Sequence, residues 1–269
     1  MSIINKNLWE QMLVEAERIG IPQTKKRGII REFLQTQILY YFYSIKDSRF
    51  FIFTGGTSLR FLYDNKRLSE DLDFDLLKQN LSLKKMLEKI IAKQTANQRN
   101  LIDFKFKSTL DGTTAYFKYK TLLFDLGISQ NKDEKLVIKF DFGIPKDKIK
   151  PVEKIFSKFG FLQTVLTYDI STLLSFKTRA LFTRKVERGR DLYDIAKLLS
   201  YNIKPNFAVL FLKEKGIKTI DNYFLLLKKW YDKNQKLLPL LKKQLQPFLI
   251  DEAELKYIDL LLKKMEQKP

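Results

Sequence analysis

Residues Gly55 to Asp75 read GGTSLRFLYDNKRLSEDLDFD, and their reading decides the fold. The apolar run FFIF at 50–53 predicts a strand that ends in a small-residue turn, Gly55 to Ser58. Ser58 to Tyr63 predicts a short helix. Asp71 to Leu77 predicts a second strand, from its period-two alternation. Side chains at i and i+2 on a strand share a face. Asp71, Asp73 and Asp75 therefore lie together, while Leu72, Phe74 and Leu76 point into a core. Three like charges in a row repel. Either a hard cation relieves them, or they form a solvated edge that resists aggregation. The turn has two readings as well. Its glycines bring backbone N–H groups close to a phosphate at a helix N-terminus, or they only make a tight strand-to-helix connection. GGTS has neither the GK[ST] ending of a P-loop nor a GxGxxG fingerprint.

Outward from this stretch, residues 5–20 and 27–45 predict helices, and 82–98 an amphipathic helix with Leu83, Met86, Leu87, Ile90 and Ile91 on one face. Ile102 to Lys107, Thr114 to Leu123 and Leu136 to Phe142 predict half-buried strands, with a hairpin turn at Asp111 and Gly112. On the last strand Val137, Lys139 and Asp141 face away from Ile138, Phe140 and Phe142. Asp141 is then either a further metal carboxylate or a surface acid. Beyond Pro151 the pattern predicts mostly helix. The expected architecture is an α/β core over residues 1–160 and a helical domain over 161–269, with a soft boundary at 150–165.

Composition narrows the chemistry. The chain has no Cys and no His, which excludes thiol nucleophiles, zinc fingers and histidine general bases. Carboxylates, Lys, Arg, hydroxyls and a bound cofactor remain. The net charge of +19 predicts a polyanion partner, because Lys and Arg release counterions from phosphates. No apolar run approaches the 20 or so residues of a membrane span. The segment MSIINKNLWEQML lacks the layout of a secretory signal, so a cytoplasmic location is expected.

Two further features carry charge into a predicted helical context. Thr172 to Arg184 predicts a helix whose apolar stripe is Leu173, Leu174, Ala180 and Leu181. Lys177 falls within that stripe, and either snorkels out of it or serves a phosphate. In RGRDLYDIAKLL, Asp191 stands near a helix start and Asp194 one turn on. They either cap and salt-bridge the helix or position a functional group.

In order and spacing, GGTSLRFLY, RLSEDLDFD and RGRDLYDI resemble the AbiEii/AbiGii-type nucleotidyltransferases, toxins of type IV-style toxin–antitoxin systems, over about residues 50–200. The resemblance implies a polymerase-β-like core with a mixed sheet, followed by a helical C-terminal domain. It implies NTP-dependent nucleotidyl transfer to an acceptor such as a tRNA 3′ end, with a cognate antitoxin as partner. Gly55, Gly56 and Thr57 would hold the triphosphate, with Ser69 beside the metal site. Asp71 and Asp73 would bind two magnesium ions, Asp141 being the candidate third carboxylate. Lys177 would reach nucleotide phosphates across a cleft. Asp191 and Asp194 would belong to an activity motif that positions it or the acceptor. Alternative acceptors are a small hydroxyl compound or a protein side chain. A non-catalytic RNA-binding module is the other reading left open.

Overall fold

Seven strands form one mixed sheet in the order β3-β4-β5-β2-β1-β7-β6. They are β1 (Phe51–Thr54), β2 (Asp71–Leu76), β3 (Ile102–Thr109), β4 (Gly112–Tyr119), β5 (Leu136–Gly143), β6 (Val152–Lys158) and β7 (Phe161–Thr167). Pairs β2–β5 and β1–β7 are parallel, the rest antiparallel. The computed structural model describes residues 3–78, 81–96, 99–109 and 112–266. Four helices accompany the sheet: α1 (Lys6–Arg18), α2 (Lys26–Tyr43), α3 (Gly55–Leu62) and α4 (Leu83–Gln94). A single helical turn, α5 (Leu122–Asp125), follows β4.

The sheet's core face follows from alternation. Leu72 and Phe74 on β2, Ile138, Phe140 and Phe142 on β5, and Ala115, Phe117 and Tyr119 on β4 are all buried. Phe74 stacks on Phe42 of α2 at 4.8 Å and on Phe142 at 5.2 Å, and Phe140 meets Phe117 at 4.7 Å. Such ring pairs contribute about 0.5–1.5 kcal/mol each beyond their area. Tyr119 donates to Gln94 Oε1 at 2.9 Å, which ties α4 to the same face. At the other end of the sheet, Glu32 of α2 accepts from Arg60 of α3 and from Lys158 of β6, all three nearly buried.

Several sequence expectations need correction. The region after Pro151 does not begin as helix. Residues 152–167 form the hairpin β6–β7 and extend the sheet, so the stretch from 161 belongs to the sheet. The strand expected over Thr114–Leu123 ends at Tyr119, because Thr121 takes a left-handed backbone and starts α5. The helix expected over 82–98 ends at Gln94, and residues 97–98 lie outside the described residues. So does Asp111 of the expected hairpin turn, although β3 and β4 pair antiparallel up to Thr109 and Gly112.

The chain divides into two units. Unit 1 comprises Met1–Leu62, Leu68–Pro145 and Val152–Thr167, and holds the sheet. Unit 2 comprises Tyr63–Arg67, Lys146–Pro151 and Tyr168–Pro269. It contains α6 (Ile170–Thr183), α7 (Gly189–Ser200), α8 (Leu210–Glu214), α9 (Ile220–Asn234), α10 (Leu238–Leu245) and α11 (Lys256–Glu266). Trp230 of α9 is 5% exposed and belongs to the core of this unit. Among the described residues no helix is long and apolar enough to cross a membrane.

Candidate active site

In unit 1, β1 runs straight into α3, and the junction residue is Gly55. Its φ is +79°, and a Cβ there would lie 1.9 Å from Asp73 Oδ2. Glycine is needed for two reasons, the left-handed backbone and the carboxylate that fills the space. Gly55→Ala is expected to strain the backbone by about 1–2 kcal/mol and to push the Asp73 carboxylate aside. Displacement by about 1 Å costs about a hundredfold in rate, so transfer should fall by that order while the chain still folds. Activity measured beside a thermal melt checks this, and unimpaired transfer would refute it.

Thr57 and Ser58 are fully buried. The Thr57 hydroxyl donates to the Asp71 carbonyl, and Ser58 Oγ donates to the Gly55 carbonyl at 3.0 Å. Both hydroxyls therefore secure the turn and the start of β2. What the turn offers an anion is backbone N–H groups, since the first turn of a helix leaves its donors without intrahelical partners. Gly56 is buried beside them. Ser69 and Glu70 precede β2, and their carbonyls accept from Gln35 Nε2 of α2 at 3.2 and 2.9 Å.

Asp71, Asp73 and Asp75 are half-buried and alternate with buried Leu72 and Phe74. In the parallel pairing with β5, Asp73 stands opposite Asp141 and Asp71 opposite Lys139. Lys139 Nζ lies 2.5 Å from Asp141 Oδ2, and Thr114 of β4 donates to Asp141 Oδ1 at 3.2 Å. Burial would lower the Lys139 pKa, but the Asp141 carboxylate, helped by Asp71, outweighs it and holds it above its ordinary value. The acidic face thus carries its own cation. Among the described residues no group of three or more acidic or other metal-ligating side chains forms a metal cage. Asp71 and Asp73 alternate with buried Leu72 on β2 and offer the hard oxygen donors that magnesium takes alongside waters and substrate phosphate oxygens.

Unit 2 holds a second charged cluster. Asp194 of α7 is fully buried and accepts from Arg67 Nε at 2.7 Å, Arg67 Nη2 at 2.6 Å and Asn65 Nδ2 at 2.7 Å. Lys177 Nζ of α6 lies 2.9 Å from Asp194 Oδ2 and 3.2 Å from Asp191 Oδ1. Arg184 Nε lies 2.9 Å from Asp191 Oδ2. Lys177 therefore does not snorkel, since α7 supplies it with two buried carboxylates. Asp191 sits in the first turn of α7, where the helix dipole favours an acid. Asp194 follows at i+3 on the same side. Gly189 lets the start of α7 approach α10, because a Cβ there would lie 1.9 Å from the Leu241 carbonyl oxygen. Arg179 is held elsewhere, on Asp147 at 2.7 Å.

Gln35, Asn65 and Arg67 went unnoticed in the sequence. The sequence places Lys139 on the face of Asp141, and the structure adds their ion pair. Asn65 and Arg67 lie in a polar run, YDNKR, that has the look of a solvated loop. Gln35 sits among the buried positions of α2 without a local cue.

Charge is distributed unevenly. Unit 2 has 26 Lys and Arg against 14 Asp and Glu, a net of +12, while the larger unit 1 carries the remaining +7. The family model described as the nucleotidyl transferase AbiEii toxin of a type IV toxin–antitoxin system matches residues 37–268. Solved structures share the fold, and two serve as examples. JHP933 from Helicobacter pylori has a TM-score of 0.53 and 19% identity, covering 89% of this chain and 94% of that one. A candidate nucleotidyltransferase from H. pylori has a TM-score of 0.52 and 19% identity, covering 89% and 96%. No curated protein matches the chain. With a mixed sheet that sets a glycine turn against an acidic strand and a family match over most of its length, the chain belongs to the AbiEii nucleotidyltransferase toxins of type IV toxin–antitoxin systems.

Proposed function

We propose that this nucleotidyltransferase moves a nucleoside monophosphate from an NTP to the 3′ end of an RNA, the tRNA acceptor stem being the preferred target, with magnesium. The observation that carries the reading is the packing of the Asp73 carboxylate into the space above Gly55. It puts a candidate metal ligand beside backbone that can take a phosphate. The net +12 of unit 2 supports a polyanionic acceptor over a small cationic one.

Asp71 and Asp73 would hold the metal, and Asp141 stands beside Asp73. Bound magnesium would supply charge neutralisation on the triphosphate and a more acidic acceptor hydroxyl. Backbone N–H groups of Gly55, Gly56 and Thr57 take triphosphate oxygens, and Ser69 lies just before the metal strand. The acceptor 3′-oxygen forms a bond to the α-phosphorus while the bond to the bridging oxygen of the β-phosphate breaks, and pyrophosphate leaves. The hydroxyl proton passes to a carboxylate, for which Asp141 is the candidate. Lys177 is the candidate for a further positive charge in a reaction that rests on positioning and electrostatics. Asp191 and Asp194 fix its position. A cognate antitoxin is the protein partner the family implies, and the cytoplasm is the compartment in which both substrates meet.

Incubation with each labelled NTP, magnesium and total RNA tests the reading. Label on tRNA, lost on chelation, is the expected result. Label on protein or a small molecule, or none, would refute the RNA acceptor.

A further inference from the structure

We infer that a cavity within unit 2 receives a single-stranded nucleotide of the acceptor RNA, an inference that rests on the RNA reading above. The cavity has a volume of about 490 Å³ and lies between the end of α6, the turn after α8 and one side of α9. Its floor is apolar: Ile217 is 8% exposed, and Phe182 and Leu226 are half-buried. At its mouth stand Lys215 and Lys229, both exposed, with no ion pair to any described residue. They contrast with Lys177, Lys197 and Lys242 of the same unit, each of which has a carboxylate partner.

The chemistry of this lining selects its occupant. An apolar floor with an aromatic ring suits the face of a base, and stacking of this kind tolerates any base. Leu225 is 41% exposed at the mouth, apolar surface that a base would cover. Two point charges without internal partners suit successive phosphates, which Lys contacts without reading sequence. Asn222 adds an amide able to donate to or accept from a base edge. An acidic peptide would satisfy the lysines but leave the ring and leucines without a flat partner. The net +12 of the unit draws a polyanion toward the cavity from a distance.

The test uses the full chain carrying Lys215→Glu and Lys229→Glu together, and separately Leu225→Ala. All three side chains are exposed, so thermal melts should match the wild type. The charge-reversal pair is expected to raise KM for tRNA at least tenfold, with kcat and KM for NTP unchanged. A milder pair, Lys215→Gln with Lys229→Gln, should flatten the dependence of log Kd on log salt by about 1.4, since each phosphate contact on a single strand contributes about 0.7. Leu225→Ala should weaken binding without changing that slope. If the wild type binds and labels tRNA while the lysine variants keep its Kd and salt slope, the cavity is not the site and the RNA reading stands. If the wild type neither binds nor labels RNA, both inferences fall.

Discussion

Asp73→Asn is expected to lower nucleotidyl transfer by at least about a hundredfold, the scale on which one preorganised electrostatic group acts in a reaction centre. The substitution keeps the shape of the side chain and removes its charge. Asp73 is the carboxylate that fills the space above Gly55, and it stands in register with Asp141 on the neighbouring strand. No other acid on β2 combines those two relations. Asp75 shares the face but stands opposite Gly143, so Asp75→Asn should lower transfer far less than Asp73→Asn does. Initial rates against magnesium concentration, measured for both variants beside thermal melts, separate the cases. Asp73→Asn should need more metal and still turn over slowly when saturated. Equal rates for Asp73→Asn and Asp75→Asn would remove the basis for assigning Asp73 to the metal.

The acidic strand was legible because burial leaves a period-two trace. Leu72, Phe74, Ile138, Phe140 and Phe142 face the core, and their neighbours on the other face must then be polar. The hairpin β6–β7 hid for a local reason. Its turn is Phe159-Gly160, both with positive φ, in a place where Asn-Gly or Asp-Gly would have marked it. Its strands also expose Ile155 and Leu162 to about two-thirds of their area, which blurs the alternation. Lys177 stood out in the sequence because it interrupts an apolar stripe, but the reason it can be buried lies on another helix. Arg67 had no signal at all, since its carboxylate partner is 127 residues away in the chain. The two short segments that join unit 2, Tyr63–Arg67 and Lys146–Pro151, are of the same kind. They are defined by distant partners such as Asp194 and Arg179, and local composition carries no record of those.

Arg67→Ala is expected to destabilise the protein by about 3–5 kcal/mol, the cost of leaving a buried carboxylate without its partner. Arg67 is 2% exposed and Asp194 is fully buried, so water cannot take the place of the lost guanidinium. Acid should act on the same contact from the other side. Burial alone would raise the Asp194 pKa, but the Arg67 guanidinium and the Lys177 ammonium outweigh it and bring it down from 3.8 to about 2. A depressed carboxyl contributes stability that is complete above its unfolded value and is lost as pH falls through its folded one. The Asp194 share, about 2 kcal/mol, should therefore disappear between about pH 4 and pH 2. Urea unfolding at pH 7 and at stepped acid pH, on wild type and Asp194→Asn, resolves it. The variant should be less stable at neutral pH and lose less on acidification, because it has no charge left to titrate at that position. If Arg67→Ala costs no more than a surface substitution, the cluster is not a buried anchor. Lys177 would then owe its position to the apolar packing of α6, and Asp191 and Asp194 would have to be assigned another role.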